Sequence, residues 1–491
     1  MLNLKLVSDA RAIVGPALRG VGSFFGEMLG PASALVFFLV VLPILLFTLP
    51  WLISLSATIM FVSLWMMQRQ IGIFNLRRIT IPAFFYLLYL VVILVPGFFV
   101  YTDEVTNGRW RFLFGIESAL ITVPVGIWIA NFVWRYRKAE TERFFAADLA
   151  PEAMGSAAVR PFLFLLIASY VLVVANIIET PVIPLLYLIR NPGDAVNAAL
   201  AREDAFKLLD SNLTYAYYVV RGSVFPFLAI LAFGRWRSGG GKVWKRLFWI
   251  SLWSGVFYAS LTIEKLPVAA IFALLGLFYY LMKKGKMGRF VSIAAPVGFL
   301  SFPLLVVMVA YQGGKDAGIG SALAALGQRI FYSPAEVLFA YFEIFPNIIS
   351  FQHGASLLKL AHLMGWSTID IPNTVGLYMG PPGTGQSVSA NACFLGNLNA
   401  DFGLPAVVIG GVIAGFAIQA INIYLLRRPK TNANLAAYAV CMWSFSTLNS
   451  SALTTVLLSG GVTFGIVLSW ILGKRAKSPP LLGPEAAGAE T

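Results

Sequence analysis

Apolar residues arrive along this chain in long blocks. They show neither the alternation of half-buried strands nor the one-sided stripe of soluble helices. A membrane span needs about 20 mostly apolar residues. Twelve blocks fit, near 33–49, 51–67, 80–101, 111–134, 161–180, 213–233, 246–263, 266–282, 290–311, 404–426, 435–450 and 453–473. The first two form one run split at Leu49-Pro50, where proline ends one helix and starts the next. Tight turns are expected at Glu264-Lys265-Leu266-Pro267 and near Asn449-Ser450-Ser451. The pattern predicts an all-α polytopic membrane protein with about 12 transmembrane helices.

The polar segments divide the chain further. Residues 1–32 read as a cytoplasmic amphipathic N-terminus, 33–311 as spans one to nine, and 404–473 as spans ten to twelve. Residues 474–491 are Pro-, Gly- and Ala-rich and predict a disordered cytoplasmic tail. Two outer loops stand out, 181–212 and 312–403, and only the second is large. The first carries the turn signal Asn191-Pro192-Gly193, then a mixed stretch from Asp194 to Leu209 that fits a short surface helix. In the second, Ser333-Pro334-Ala335-Glu336 reads as a capping box opening a helix that ends before Pro346. Another helix fits Ala355 to Met364, stopped by Gly365, while 366–390 reads as irregular. No internal repeat is visible, which disfavours a secondary transporter.

Composition agrees with the spans. Hydrophobic residues make up 58% of 491, charged residues 12%, and mean hydropathy is +0.79. A soluble domain averages about 25% charged residues, and a disordered chain is poor in apolar ones. The net charge of +14 resembles a nucleic-acid signal until it is distributed. With an N-in/C-in topology, 26 of the 36 Lys and Arg fall in inner segments, leaving +18 inside and −4 elsewhere. That is the positive-inside pattern, so no nucleic-acid partner is expected. Cys393 falls in an outer loop and Cys441 inside a span, so no disulfide framework is expected.

Gly380-Pro381-Pro382-Gly383-Thr384-Gly385-Gln386-Ser387 imitates a nucleotide-binding P-loop. The lysine that meets the phosphates is replaced by Gln386, and the topology puts the loop outside. It reads better as a Gly/Pro loop at the rim of a cavity that admits a bulky substrate.

Charges within spans are functional candidates. Arg221 lies about eight residues into the sixth span, roughly 12 Å below its outer end at 1.5 Å per residue. Glu117 lies at similar depth in the fourth span, so the two could pair, or Arg221 could meet an anion in an outward-open cavity. Lys265 at the outer turn is a snorkelling anchor or a phosphate ligand. Arg202, Arg329 and Lys359 are further outer cations. Arg grips phosphate bidentately, so together these residues could hold a diphosphate. His353 and His362 both fall in the large loop, nine residues apart, without metal-ligand spacing. They join Glu343, Asp370 and Asp401 as candidate bases. Tyr311, Trp366, Tyr378 and Phe402 could stack on sugars, although aromatics also belt the membrane interface.

The outer-turn lysine before an apolar span and the large late loop carry a resemblance. So do the stretch Gly396-Asn397-Leu398-Asn399-Ala400-Asp401-Phe402-Gly403 and the following Gly410, Gly411 and Gly415. The chain resembles the bacterial oligosaccharide repeat-unit polymerases of the O-antigen polymerase type, which are related to O-antigen ligases. The likeness covers residues 250–491, and the first half by layout. The family's arginine repeat, with Gly eleven positions after Arg, is absent at Arg202 and Arg329.

The resemblance implies a GT-C-like fold in the bacterial inner membrane, with its active site facing the periplasm. Undecaprenyl-diphosphate-linked oligosaccharides would be the substrate, with neither metal nor other cofactor. A flippase and a chain-length regulator of the same pathway would be partners. On this reading Arg202, Arg221, Lys265 and Arg329 serve the diphosphate. Asn397 and Asn399 contact sugar, and His353, His362, Glu343 and Asp401 form the pool for the base. A flippase of the same lipids and an O-antigen ligase are the rival readings.

Overall fold

The computed structural model describes residues 51–75, 77–103, 106, 108–152, 154–191, 213–285, 319–354, 369–380 and 390–473, with isolated positions 197, 297, 300 and 304. The predicted segments 1–32, 33–49, 194–209, 290–311, 355–364 and 474–491 lie outside or almost wholly outside them. So do residues 381–389 and the candidates Arg202, Lys359 and His362.

The chain is helical, with no strand among the described residues. The helices are α1 (Trp51–Ile71), α2 (Ile81–Thr102), α3 (Arg109–Val133), α4 (Lys138–Ala146), α5 (Ser156–Glu179) and α6 (Pro184–Arg190). Next, α7 runs Thr214–Val219, passes through a π turn at Val220–Val224 and continues as Phe225–Arg235. Then come α8 (Gly241–Ser260), α9 (Lys265–Met282), α10 (Ile319–Gly327), α11 (Ser333–Ile344), α12 (Ile371–Met379) and α13 (Phe394–Phe402). The last are α14 (Leu404–Leu426), α15 (Asn432–Ser446), α16 (Leu453–Leu458) and α17 (Val462–Leu472).

Six helical stretches among the described residues are long and apolar enough to cross a membrane. Large apolar side chains point outward from them, including Phe132, Phe164, Trp128 and Ile178. A surface of that kind is stable in lipid, where a helix satisfies its own backbone groups. The architecture is that of a helical membrane protein. One of the six, the 47-residue stretch Thr214–Ser260, is a hairpin made of α7 and α8. Ser238 and Gly239 leave helical dihedrals, and Gly239 (φ 96°) and Gly241 (φ 71°) take the left-handed turn that glycine allows. The legs then run back along each other, with Phe233 on Phe248 and Phe225 on Tyr258.

The bundle is held at its centre by α3 and α14, which run parallel. A Cβ at Gly126 would lie 2.0 Å from the Val412 carbonyl oxygen, and one at Gly415 2.1 Å from that of Val123. Small residues let two backbones touch, which is how helices gain packing in lipid. The chain turns back into α15, whose Asn432 meets Gly234 at the end of α7. The starts of α3, α7, α9 and α14 therefore share one end of the bundle, and α11 and α13 pack there too.

The other end gathers the basic loops. Arg78 pairs with Glu142 (2.9 Å), Lys284 with Asp148 (2.8 Å), and Arg427 with Glu140 (2.7 Å). The Ile79 amide donates to the Tyr280 hydroxyl, and the Ala150 amide to the Lys430 carbonyl. Loops predicted to share a side of the membrane are thus laced together.

Two sequence expectations need correction. Ser333 does not cap α11. The chain reaches it already helical, through a π turn at Gln328–Tyr332, so the first amides are satisfied by the preceding turn. Part of 366–390 is not irregular, because α12 forms with Pro372 in its first turn and the Asp370 carboxylate accepting from the Asn373 amide. The stretch 396–402, to which the sequence pattern assigned no conformation, lies in helix α13, ended by Gly403 at φ 74°.

Candidate functional site

Two polar clusters lie at the end where α3, α7, α9 and α14 begin. The first is built around Arg221 on the π turn of α7. Pro226 lacks an amide hydrogen, and its ring crowds the carbonyl four residues back. A wider turn relieves both faults. The same offset recurs at Leu90–Leu94 before Pro96 and at Gln328–Tyr332 before Pro334. The π turn of α7 leaves Arg221 buried and the adjacent Gly222 exposed.

Arg221 does not pair with Glu117. Its Nη2 lies 2.8 Å from Glu264 Oε2, and its Nη1 donates to Thr262 Oγ1 at 2.8 Å. The guanidinium also stands 5.2 Å from the Tyr218 ring centre. Glu117 instead accepts from Ser56 on α1. Depth in the sequence placed Arg221 and Glu117 level, but rotation about each axis turns them to different neighbours. Around the ion pair, Tyr217 donates to Glu179 (2.9 Å) and Tyr258 to Asn176 (3.1 Å). Glu264 is half-buried and directly precedes Lys265, the first residue of α9. The side chain of Lys265 lies outside the described residues.

The second cluster joins the start of α3 to α11, α13 and the segment 349–354. Glu343 Oε2 accepts from Thr106 Oγ1 (2.7 Å) and from the Gly108 amide (2.8 Å). A carboxylate at a helix start is favourable, so Glu343 anchors α3 rather than standing free as a base. Asn399 is fully buried. Its amide donates to the Tyr341 and Phe345 carbonyls, both at 3.3 Å, and its oxygen accepts from Arg111 Nη2 at 3.3 Å. Both side-chain polar atoms of Asn399 are thus engaged by protein. Asn397 is two positions away, which on a helix points elsewhere, and it is half-buried.

Asp401 and His353 do come together. The His353 amide donates to the Asp401 carbonyl (2.9 Å), and Asp401 Oδ1 accepts from the Gly354 amide (3.2 Å). His353 takes a left-handed conformation (φ 49°), and its exposed ring lies 6.4 Å from Phe402. Strained backbone of this sort collects at functional sites. Burial of Asp401 contrasts with exposure of His353, so of the two the imidazole is the one a substrate can reach. Arg329 is exposed on the π turn ahead of α11. Asp370 caps α12.

Two cations were not singled out from the sequence. Arg111 lies 5.5 Å from the Phe351 ring centre while holding Asn399. Arg109 lies 4.4 Å from the Tyr101 ring centre and donates to its hydroxyl at 3.3 Å. The signal was the run Arg109-Trp110-Arg111 at a span end that the predicted topology assigns to the outer side, where positive-inside sorting does not explain a cation. Among the described residues, no three His, Cys, Asp or Glu converge as metal ligands would. The Cys393 thiol, at the start of α13, is pushed up to about 12 by burial.

The two clusters offer buried or half-buried guanidinium donors beside one accessible imidazole, at one end of an apolar bundle. Such a set can hold an anion and accept a proton. Comparison with family models, with curated proteins and with solved structures finds no match.

Proposed function

We propose that this chain polymerises undecaprenyl-diphosphate-linked oligosaccharide repeat units into a surface polysaccharide by glycosyl transfer on the periplasmic side of the inner membrane. The observation that carries the reading is Arg221, a buried guanidinium on a π turn within an apolar helix. It lies at the same end of the bundle as His353 and Asp401. The leaving group in this reaction is a lipid diphosphate, and cations fixed in an apolar setting stabilise its developing charge. Arg221 supplies that charge, with Lys265, Arg329, Arg109 and Arg111 as further cations. His353 takes the proton of the attacking hydroxyl.

The topology fits. The laced basic loops face the cytoplasm under the positive-inside rule, so both clusters face the periplasm. The twelve spans and the GT-C-like arrangement belong to this proposal, as does the kinship with repeat-unit polymerases. Flippases and chain-length regulators of the pathway are the partners it calls for.

The test uses purified chain in detergent with lipid-linked repeats. Growth of a ladder of polymer sizes is expected, and Arg221→Lys should weaken it at least tenfold while the protein stays folded. Transfer to lipid A core without a ladder would indicate a ligase. Absence of any glycosyl transfer, with movement of the lipid across vesicles, would indicate a flippase.

A further inference from the structure

The turn that carries Glu264 is strained. Ile263, between Thr262 and Glu264, sits at φ 51°, in the left-handed region. A β-branched side chain crowds its own backbone there. Among the described residues, the other non-glycine positions at positive φ are Arg135, Lys284 and His353, none of them β-branched. Such a conformation persists only where its surroundings over-determine it, and it collects where a segment switches. At Ile263 the surroundings act through one side chain. Arg221 holds Glu264 through Nη2 and Thr262 through Nη1, so the residues on both sides of Ile263 are tied to a single guanidinium. The Ile263 amide closes the turn on the Ser260 carbonyl at 2.9 Å. Leu261 is tied separately, its carbonyl accepting from the Leu185 amide at 3.0 Å.

The two nitrogens in use are also the pair with which an arginine grips a phosphate. The Glu264 carboxylate therefore stands where an anion would bind. Its side chain is 29% exposed against 7% for Arg221, so it covers the guanidinium. Beside them Gly222 faces open space, and the Tyr218 ring against the guanidinium is exposed. We propose that Glu264 is a latch, a built-in competitor that a phosphate or diphosphate group displaces from Arg221. On displacement the carboxylate swings out, Thr262 gives up its hydrogen bond, and Ile263 leaves the left-handed region. The strain released offsets part of the cost of breaking the ion pair. The start of α9 is then free to shift. A monoanion gains no more from Arg221 than Glu264 already does, so the latch favours the higher charge of a diphosphate. Arg221 lies within a stretch long and apolar enough to cross a membrane, so a lipid is the expected bearer. The inference rests on the reading of Arg221 as a ligand of the diphosphate, and adds how that site stays closed until substrate arrives.

The full chain in detergent tests the latch by calorimetric titration with farnesyl diphosphate, inorganic pyrophosphate and farnesol. Farnesyl diphosphate should bind, and farnesol should not. Glu264→Gln should tighten binding at least tenfold, because apparent affinity is reduced by the fraction of molecules whose latch is shut. Thr262→Val changes no charge, yet should tighten binding at least threefold. It also remains informative if Glu264→Gln loses the folded protein. Hydrogen exchange followed by mass spectrometry reads the movement itself. Amides of 261–266 should exchange faster with farnesyl diphosphate bound, although binding ordinarily protects. Both variants should show the faster exchange without ligand. Equal affinity in the unaltered chain and both variants, or protection of 261–266 by the ligand, would make Glu264 a fixed brace and overturn the latch, while Arg221 keeps its anion. Failure of every form to bind the diphosphate would remove the reading of Arg221 itself, and the latch with it. Pyrophosphate binding as tightly as farnesyl diphosphate would assign the displacing group to a free anion, and weaker binding would assign it to a lipid; either result supports displacement.

Discussion

Two helix contacts in this molecule follow opposite rules. Where α3 meets α14, glycines bring backbones within reach of each other, and the interface is extensive and mostly apolar, with Gln419 donating to Asn131 across it. Where α7 meets the start of α9, the helix widens into a π turn, and an arginine, a glutamate and several hydroxyls fill the space. The first contact gains from dispersion over many close atoms and has no reason to move. The second places two charges in an apolar setting, where desolvation offsets much of their attraction. A stable bundle can be built from contacts of the first kind alone. The second kind is therefore where a task other than holding the fold is expected.

That contrast can be broken at several points. Arg221→Ala should have the largest effect. It leaves Glu264 uncompensated and should cost about 3–5 kcal/mol, read as loss of monodisperse protein in detergent. Adding Glu264→Gln should restore the folded protein without restoring the proposed glycosyl transfer. Recovery of both would make the pair a structural lock. Gly126→Ala should come next, at ~3 kcal/mol or more, because the new methyl meets the Val412 carbonyl and the helices must separate. Its expected signature is a lower melting temperature with unchanged activity in whatever protein remains folded. Asn399→Ala should cost ~1–3 kcal/mol, since two carbonyls and Arg111 lose their partner. Limited proteolysis between α11 and α13 would report it first.

The smallest effect belongs to the basic end. The hydrogen bond from Arg427 holds the Glu140 carboxyl below its ordinary range. A carboxyl with a depressed folded pKa adds stability above its unfolded value and loses it as pH falls through the folded one. Arg427 is 43% exposed, so solvent and salt screen the pair. Glu140→Gln should therefore cost under ~1 kcal/mol at pH 7. The difference from the unaltered chain should shrink as pH drops below about 4.3. A difference that does not shrink at all as the pH is lowered would assign the effect to packing instead of charge.

Much of the fold could be read from hydropathy, because a span announces itself by length. The blocks 80–101, 111–134, 161–180, 213–233, 246–263, 266–282 and 404–426 each meet a helix, and the split of Thr214–Ser260 into two legs follows from the glycines at its middle. Rotation about the helix axis was not readable. Their positions in the sequence put Arg221 and Glu117 at similar depth and so suggested a pair, yet the partner of Arg221 is Glu264, from the connection between α8 and α9. The site was legible by residue type more than by role. His353 and Asp401 do adjoin, whereas Glu343 and Asn399 brace helices. Nothing in a single sequence separates a polar residue that touches substrate from one that touches a carbonyl. Three of the π turns, at Leu90–Leu94, Val220–Val224 and Gln328–Tyr332, by contrast, carry a local signal that hydropathy ignores, a proline two positions beyond each.

The glycine contact between α3 and α14 has a consequence for how the protein is made. Roughly 270 residues separate the two helices, which at a synthesis rate of ~5–20 residues per second is tens of seconds. During that time α3 lies in the bilayer with its small-residue groove facing lipid, although its neighbours α1 and α2 are already present. The central joint of the bundle is thus among the last to close, and a ribosome that stalls before Leu404 leaves an open groove for quality-control proteases to find.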